Sequence, residues 1–449
     1  MRAAHLFDVR AALDDQIARL DWTPEQIARH RNQRLRALLA FARERSPFHF
    51  ERLRDIDPVT ATIDDLASLP TMTKQEVRDN WDAIITDREL TRDAAERILA
   101  EQQWFSYTQG NQQVFSSGGS SGVRGVYVWD WQFYISAACL AWRMQARAER
   151  HSAHPPSRLA VLAAGTPPHA STPLFDVPTT DGMQTEVIGA AAPFDEVLAA
   201  VSAAQPTHLV GYASVIGRLA RATLAGELQL APVRVSTNSE PLLEEDREAI
   251  RDAWNAPVHN LWGSTEIGVQ AVGCGVGEGL HVCEDEVVLE RVDDNGVPVG
   301  SDEPAARTLA TGLANRTFPF IRYDLGDQVT LLPGQCECGI AFARVADIGG
   351  RRDDDFRYGV TTVPASAFRF VLGADARISE YQVKQTTTGA EVLMVGTPDV
   401  DALGASLIAA LQRHGLSEPQ IEVRTVDRIP RIQATGKLRR FIALRPPFP

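Results

Sequence analysis

The chain has 449 residues, too many for one hydrophobic core, so two or more domains are expected. Its composition, 44% hydrophobic and 23% charged, is that of an ordinary globular protein. The net charge of −13 argues against nucleic acid or an anionic membrane as partner, because no basic excess exists to neutralise phosphates. No apolar run approaches the length that spans a bilayer and no signal-type apolar core stands at the start, so a cytoplasmic location is expected.

Residues 1–100 read as mainly helical. Thr23-Pro24-Glu25-Gln26 fits a capping box with proline at the first helical position, followed by Ile27, Leu35, Leu38, Leu39 and Ala42 on one face. Ser46-Pro47 ends that helix, and Thr71–Lys74 offers another start. From about 100 to 350, short apolar runs alternate with helical segments. Leu159–Ala164, His208–Gly211 and Val233–Thr237 read as buried strands, and Leu242–Ala253 as a helix. That alternation predicts an α/β core whose ligands gather at the loops leaving the strands. Residues 286–332 read as a β-rich portion with a turn at Asp293–Gly296. The pattern changes again after Arg352, giving an expected N-terminal domain over 1–352 and a smaller α+β domain over 353–449, with a helix near Val400–Arg413.

The candidate chemistry lies in the strand-end loops. Phe115–Gly125 holds four glycines and four serines, so it combines mobile backbone with hydroxyl and N–H donors suited to a polyphosphate. It is not a Walker A loop, since no Gly-Lys-Ser/Thr ending follows, and a plain flexible linker is the simpler reading of such a run in isolation. Asn260-Leu261-Trp262-Gly263-Ser264-Thr265-Glu266 follows a predicted strand and offers an aromatic ring for a base, hydroxyls for a phosphate and a carboxylate for Mg²⁺. A strand end with a helix N-cap accounts for the same residues without a ligand. Arg322–Asp327 supplies a second carboxylate loop, in which one acceptor suits both ribose hydroxyls. Lysine occurs only at 74, 384 and 437, so Gly436-Lys437 near the C-terminus stands out as a compact cation for phosphate charge.

The five cysteines, an odd number, argue against a disulfide framework. Cys336-x-Cys338 followed by Gly339 resembles a metal knuckle, and Cys274-x₆-His281 can supply the other pair, with Cys283 as an alternative fourth ligand. Buried reduced thiols are the simpler reading.

In this order the motifs resemble the adenylate-forming superfamily, specifically its phenylacetate–coenzyme A ligase-like branch. The resemblance covers nearly the whole chain, from Ser46-Pro47-Phe48 through Leu69-Pro70, Thr73-Lys74 and Gly279-Leu280-His281 to Gly436-Lys437. It implies a large N-terminal α/β domain with a mobile C-terminal lid. ATP would be held by Ser117, Gly118, Gly119, Ser120, Ser121 and Gly122 at its β- and γ-phosphates, and by Ser239-Glu240-Pro241 with Trp262, Gly263 and Ser264 around adenine. Thr265 would touch the α-phosphate and Glu266 would hold Mg²⁺. Asp327 and Arg351 would grip the ribose, Asp353 would be the hinge, and Lys437 would bridge the substrate carboxylate and the α-phosphate. Gly211, Tyr212, Ala213 and Ser214 would form the acid pocket. A structural Zn²⁺ on Cys274, His281, Cys336 and Cys338 is similar to that of related ligases.

The implied reaction joins a carboxylic acid, a substituted benzoate or other aryl acid, to AMP with loss of pyrophosphate, then passes the acyl group to coenzyme A. A carrier-protein thiol, an amine or a hydroxyl in secondary metabolism is an alternative acceptor, and a homodimer an open assembly. A non-catalytic protein on the same fold is disfavoured by the intact Glu266, Asp327, Asp353 and Lys437. Three departures from the family pattern stand out: Val123-Arg124 in the Gly/Ser loop, Trp262 where tyrosine is usual, and Asp324-Leu325 where Arg-Thr is frequent.

Overall fold

A computed structural model describes residues 1–102, 106–117, 125–150, 152, 157–164, 169–175, 183–300, 303, 305–375, 377–433 and 435–444. The core is a nine-stranded sheet. Its parallel part runs, in spatial order, Gln184–Gly189, Arg158–Ala163, His208–Tyr212, Arg234–Asn238 and Val258–Ser264, and continues antiparallel through Gly268–Val272, Leu280–Val282, Arg344–Val345 and Leu331–Leu332. The parallel strands follow the sequential order 2-1-3-4-5, so a crevice opens at their carboxyl ends where the winding reverses. The mixed α/β class expected from the alternating pattern is the class observed.

Local chemistry explains the elements. The helix Pro24–Arg45 starts with both bonds of the capping box, Thr23 N–H to Gln26 Oε1 at 2.8 Å and Gln26 N–H to Thr23 Oγ1 at 3.4 Å. Its buried face is Ile27, Leu35, Leu38, Leu39 and Ala42, the residues the periodicity selects. The helix Arg2–Ala18 packs Val9, Leu13 and Ile17 onto the long helix Trp131–Glu149. Strands Val287–Val292, Arg307–Gly312 and Tyr323–Asp324 form a separate antiparallel sheet, with Gly296 at φ 82° in the expected turn. Left-handed backbone there is free of penalty for glycine.

Residues from Phe356 onward form a four-stranded sheet, ordered Gln420–Thr425, Gly389–Gly396, Ile378–Gln385, Phe441–Ile442, covered by the helices Ala365–Gly373 and Val400–Arg413. It has its own apolar core of Phe356, Phe368, Tyr381, Met394, Leu407 and Phe441. This portion docks against the carboxyl ends of the large sheet. At the contact Gly436 has φ 74°, and a Cβ there would lie 2.3 Å from the carbonyl carbon of Ala190. Only glycine lets the chain come that close while turning left-handed. Among the described residues no helix is long and apolar enough to cross a membrane.

Candidate active site

The docked C-terminal portion and the strand ends enclose a cavity of ≈ 310 Å³. Of the expected nucleotide residues, Ser117, Ser239, Glu240, Pro241, Trp262, Gly263, Ser264, Thr265, Glu266, Asp327 and Arg351 all line it, together with Lys437. Gly118, Gly119, Ser120, Ser121, Gly122 and Arg124 lie outside the described residues. The base of their loop is described: Gln113–Ser116 and Val126–Trp129 form a hairpin, and Ser117 Oγ accepts Gly125 N–H at 3.1 Å. A Cβ at Gly125 would stand 2.3 Å from the Tyr127 hydroxyl, so a glycine is needed where the loop passes over that ring.

Three charged groups are preset by their neighbours. Glu266 is buried, and its Oε1 accepts from the phenols of Tyr127 at 2.8 Å and Tyr323 at 3.3 Å. Burial first, then the Glu266 charge, keeps both phenols protonated as donors. Asp327 is held from two sides, accepting Trp262 Nε1–H on Oδ2 and Arg351 Nε–H on Oδ1, each at 2.8 Å. The Asp327 carboxylate in turn strengthens the hold of Arg351 on its proton. Tryptophan at 262 therefore offers a donor as well as a ring. A β-bulge between Trp262 and Gly263 turns this segment, and a Cβ at Gly263 would meet the Gly268 carbonyl at 2.9 Å. Trp129 Nε1–H fixes the Thr265 carbonyl at 2.8 Å, while Ser264 Oγ accepts from Ile267 N–H and Gln270 and so serves the turn itself. Ser239 sits at φ 64°, a left-handed conformation unusual for serine and found at the adenine-loop candidate.

Lys437 reaches this cavity from the C-terminal portion. Its ammonium stands 5.3 Å over the Tyr212 ring and forms no ion pair among the described residues. Burial lowers its affinity for a proton, and the charge of Glu240 partly offsets that. Gly211, Tyr212, Ala213 and Ser214 are buried behind the lysine, and none is a wall of the cavity: Tyr212 packs among Ala160, Leu209 and Ile216 and its hydroxyl accepts Ala164 N–H at 3.0 Å. The wall beyond the nucleotide residues is instead Trp129, His169, Ala170, Ser171, Leu174, Phe175 and Val269. Lys74 also lines it, so two of the three lysines face one cavity. Asp353 is exposed in the turn Arg352–Asp354, and Arg352 beside it binds Asp324 at 2.6 Å, which neutralises the unusual acid at 324.

Away from the cavity, Cys274, His281, Cys336 and Cys338 gather with their ligand atoms all within 4.8 Å of one another. Cys274 Sγ and Cys336 Sγ are 3.7 Å apart, and Cys338 Sγ is 3.3 Å from His281 Nε2. Gly277 N–H points at Cys274 Sγ at 3.4 Å, and a Cβ on Gly277 would lie 2.5 Å from Cys336 Sγ. Cys283 is not in this group; it is fully buried near Arg143, and burial pushes its thiol up to about 12.

This fold is one that solved acyl- and aryl-coenzyme A ligases share. No family model matches the sequence. A phenylacetate–coenzyme A ligase of Thermus thermophilus is 23% identical over 380 residues, which covers 80% of this chain and 78% of that protein. A 2-hydroxyisobutyryl-CoA ligase in its postadenylation state, bound to 2-HIB-AMP, superimposes with a TM-score of 0.72 at 16% identity, over 95% of this chain and 91% of that one. The same ligase in its open and thioesterification states gives TM-scores of 0.59 and 0.60. An anthranilate CoA ligase bound to anthranoyl-AMP matches with a TM-score of 0.52 at 18% identity, over 74% of this chain and 66% of that one.

Proposed function

We propose that the protein activates a carboxylic acid with ATP to an acyl-adenylate, releasing pyrophosphate, and then transfers the acyl group to coenzyme A. The observation that carries this reading is a half-buried lysine, Lys437, which forms no salt bridge among the described residues and shares a cavity with the preset carboxylates Glu266 and Asp327. A carboxylate attacking a phosphate must overcome repulsion between anions, and the leaving group carries still more charge. Fixed donors and a cation in a partly enclosed cavity stabilise that charge as it develops. In this account Trp262 and Ser239–Pro241 hold the base, Asp327 and Arg351 the ribose, Thr265 the α-phosphate, and Ser117 with the Gly/Ser loop the outer phosphates. Glu266, with one oxygen engaged by two phenols, fits Mg²⁺, whose chemistry here is neutralisation of polyphosphate charge.

The acid is proposed to be a substituted benzoate or other aryl acid. Trp129, Leu174, Phe175 and Val269 give one part of the remaining wall an apolar and partly aromatic lining, while His169 and Ser171 add polar atoms. The boundary between a large domain and a lid is proposed at 352–353, with Asp353 as hinge. The Cys/His cluster fits a structural Zn²⁺, because a tetrahedral site with about 2.3 Å Zn–S bonds has sulfur–sulfur edges of about 3.8 Å, close to the 3.7 Å seen between Cys274 and Cys336.

The test is acid-dependent pyrophosphate release across a panel of aryl and aliphatic acids, with and without coenzyme A, and with product masses recorded. An aryl acid is expected to give the adenylate alone and the thioester when coenzyme A is added. Adenylate that never becomes thioester would displace coenzyme A as acceptor, and no release with any acid would remove the ligase reading. Trp262→Phe keeps a flat ring but deletes the bond to Asp327. It is expected to raise the KM for ATP about fivefold, equivalent to ~1 kcal/mol for one hydrogen bond, with little change in kcat; an unchanged KM would detach Trp262 from nucleotide binding.

A further inference from the structure

Three carboxylates sit where the C-terminal portion meets the large sheet, and each has two kinds of partner. Asp246, on the helix Glu244–Trp254, binds Arg221 of the neighbouring helix at 2.8 Å and Arg440 of the C-terminal portion at 3.0 Å. Glu240 accepts Ser214 N–H at 3.1 Å from its own side and Leu438 N–H at 2.6 Å from the other. Glu380, on the C-terminal strand Ile378–Gln385, pairs with Arg431 of its own portion and lies 3.8 Å from Arg218 of the large domain. Arg431 also donates to Ser214 Oγ across the boundary at 2.8 Å. Asp246 and Glu380 are buried at 1% and 5% exposure, where a charge stripped of its only partner carries a heavy penalty.

We infer that Asp246, Glu240 and Glu380 form a reversible latch that holds the C-terminal portion in the arrangement delivering Lys437. Its defining property is that each of the three carboxylates backs its crossing contact with a resident one. When Arg440, Leu438 and Arg218 leave, Arg221, Ser214 and Arg431 remain, so no buried carboxylate is left unpaired on parting. A contact made this way adds hold in the closed arrangement at little cost in the open one. Gly217 supports the same reading: a Cβ there would lie 2.2 Å from Asp246 Oδ1, so the helix bearing Arg221 leaves room for the carboxylate to stay put. Asp246 and Arg440 are therefore positioning residues; they act on the first half-reaction through Lys437. The inference rests on the ligase reading for its catalytic consequence, and on geometry alone for the hold itself.

The test uses the full-length protein with Asp246→Asn and, separately, Arg440→Gln, which leaves the Asp246–Arg221 pair intact should the first variant fold poorly. Hydrogen exchange of the peptides spanning 431–440 is expected to speed up at least about tenfold without ligand, while peptides of Val258–Val272 and Gly389–Gly396 keep their protection. With phenylacetate as probe acid, pyrophosphate release is expected to fall about tenfold, while thioester formation from synthetic phenylacetyl-adenylate and coenzyme A is unchanged or faster. Equal losses in both half-reactions, or unchanged exchange at 431–440 in the folded variants, would overturn the latch. A wild-type protein inert towards acids and phenylacetyl-adenylate alike would overturn the ligase reading instead, and the exchange result would still decide whether the latch exists.

Discussion

Lys437→Ala is expected to reduce acid-dependent pyrophosphate release by about 10²–10³-fold, the loss typical of removing one donor from a preorganised charge-stabilising site. The physical basis is that this ammonium forms no salt bridge among the described residues. The Glu240 charge and the ring of Tyr212 beneath it compensate only in part, so a half-buried cation stands ready for an anion. Lys384→Ala, on the exposed side of the small sheet, should leave the rate unchanged and serves as the control. A pH profile adds a second reading. Burial lowers the affinity of Lys437 for its proton below the ordinary value of 10.5, and the charged form is the one that stabilises phosphate. The alkaline limb of adenylation should therefore fall at lower pH than an exposed lysine would give, and should vanish from the residual rate of Lys437→Ala. Full adenylation by that variant would end the catalytic assignment of the lysine.

The second large effect is expected at the Cys/His cluster. The wild-type protein should carry about one equivalent of zinc, and less than half an equivalent by elemental analysis would sink the metal reading. Because metal binding to ligands brought together by folding is itself folding free energy, Cys336→Ser with Cys338→Ser should cost at least ~3 kcal/mol and lower the Tm by at least roughly 3–4 °C in a unit of this size. None of the four ligands lines the catalytic cavity. Well below its melting temperature the double variant should keep most of its pyrophosphate release, so stability and catalysis separate in one experiment.

Much of this was legible in sequence because both the strands and the motifs are local. The sequence predicts a strand just before Asn260, and the structure carries it on through Ser264, so Asn260–Ser264 belong to the strand and only Thr265 and Glu266 follow its carboxyl end. Scarcity made Lys437 visible; the same scarcity marked Lys74, which the motif order left as a landmark and the cavity makes a wall. Trp129, His169 and Phe175 carry no spacing signal, since they come from a hairpin and from the segment after Arg158–Ala163 that ends in the short helix Ser171–Phe175, and they meet only in the folded chain. Tyr212 shows the opposite limit. It stands at a strand end, as pocket residues do, yet its ring enters the core beneath the helix Ala213–Leu224 and supports the lysine from behind. Likewise the sequence leaves Cys283 as an alternative fourth ligand, and only the folded chain, which turns it towards Arg143 and away from the converging ligand atoms, separates it from its neighbours.

The strands Leu331–Leu332 and Arg344–Val345 pair over only two residues each, yet they cap one margin of a nine-stranded sheet. Strands so short have little hold of their own, and Cys336 and Cys338 lie in the loop that joins them, tied to the turn before Leu280–Val282. If that tie is lost, the flap is free to lift and the row of N–H and C=O groups on Leu280–Val282 is bared to any other extended chain. On the zinc reading the cluster would guard against association between molecules as well as against unfolding within one, and treatment with a chelator is expected to show first as turbidity.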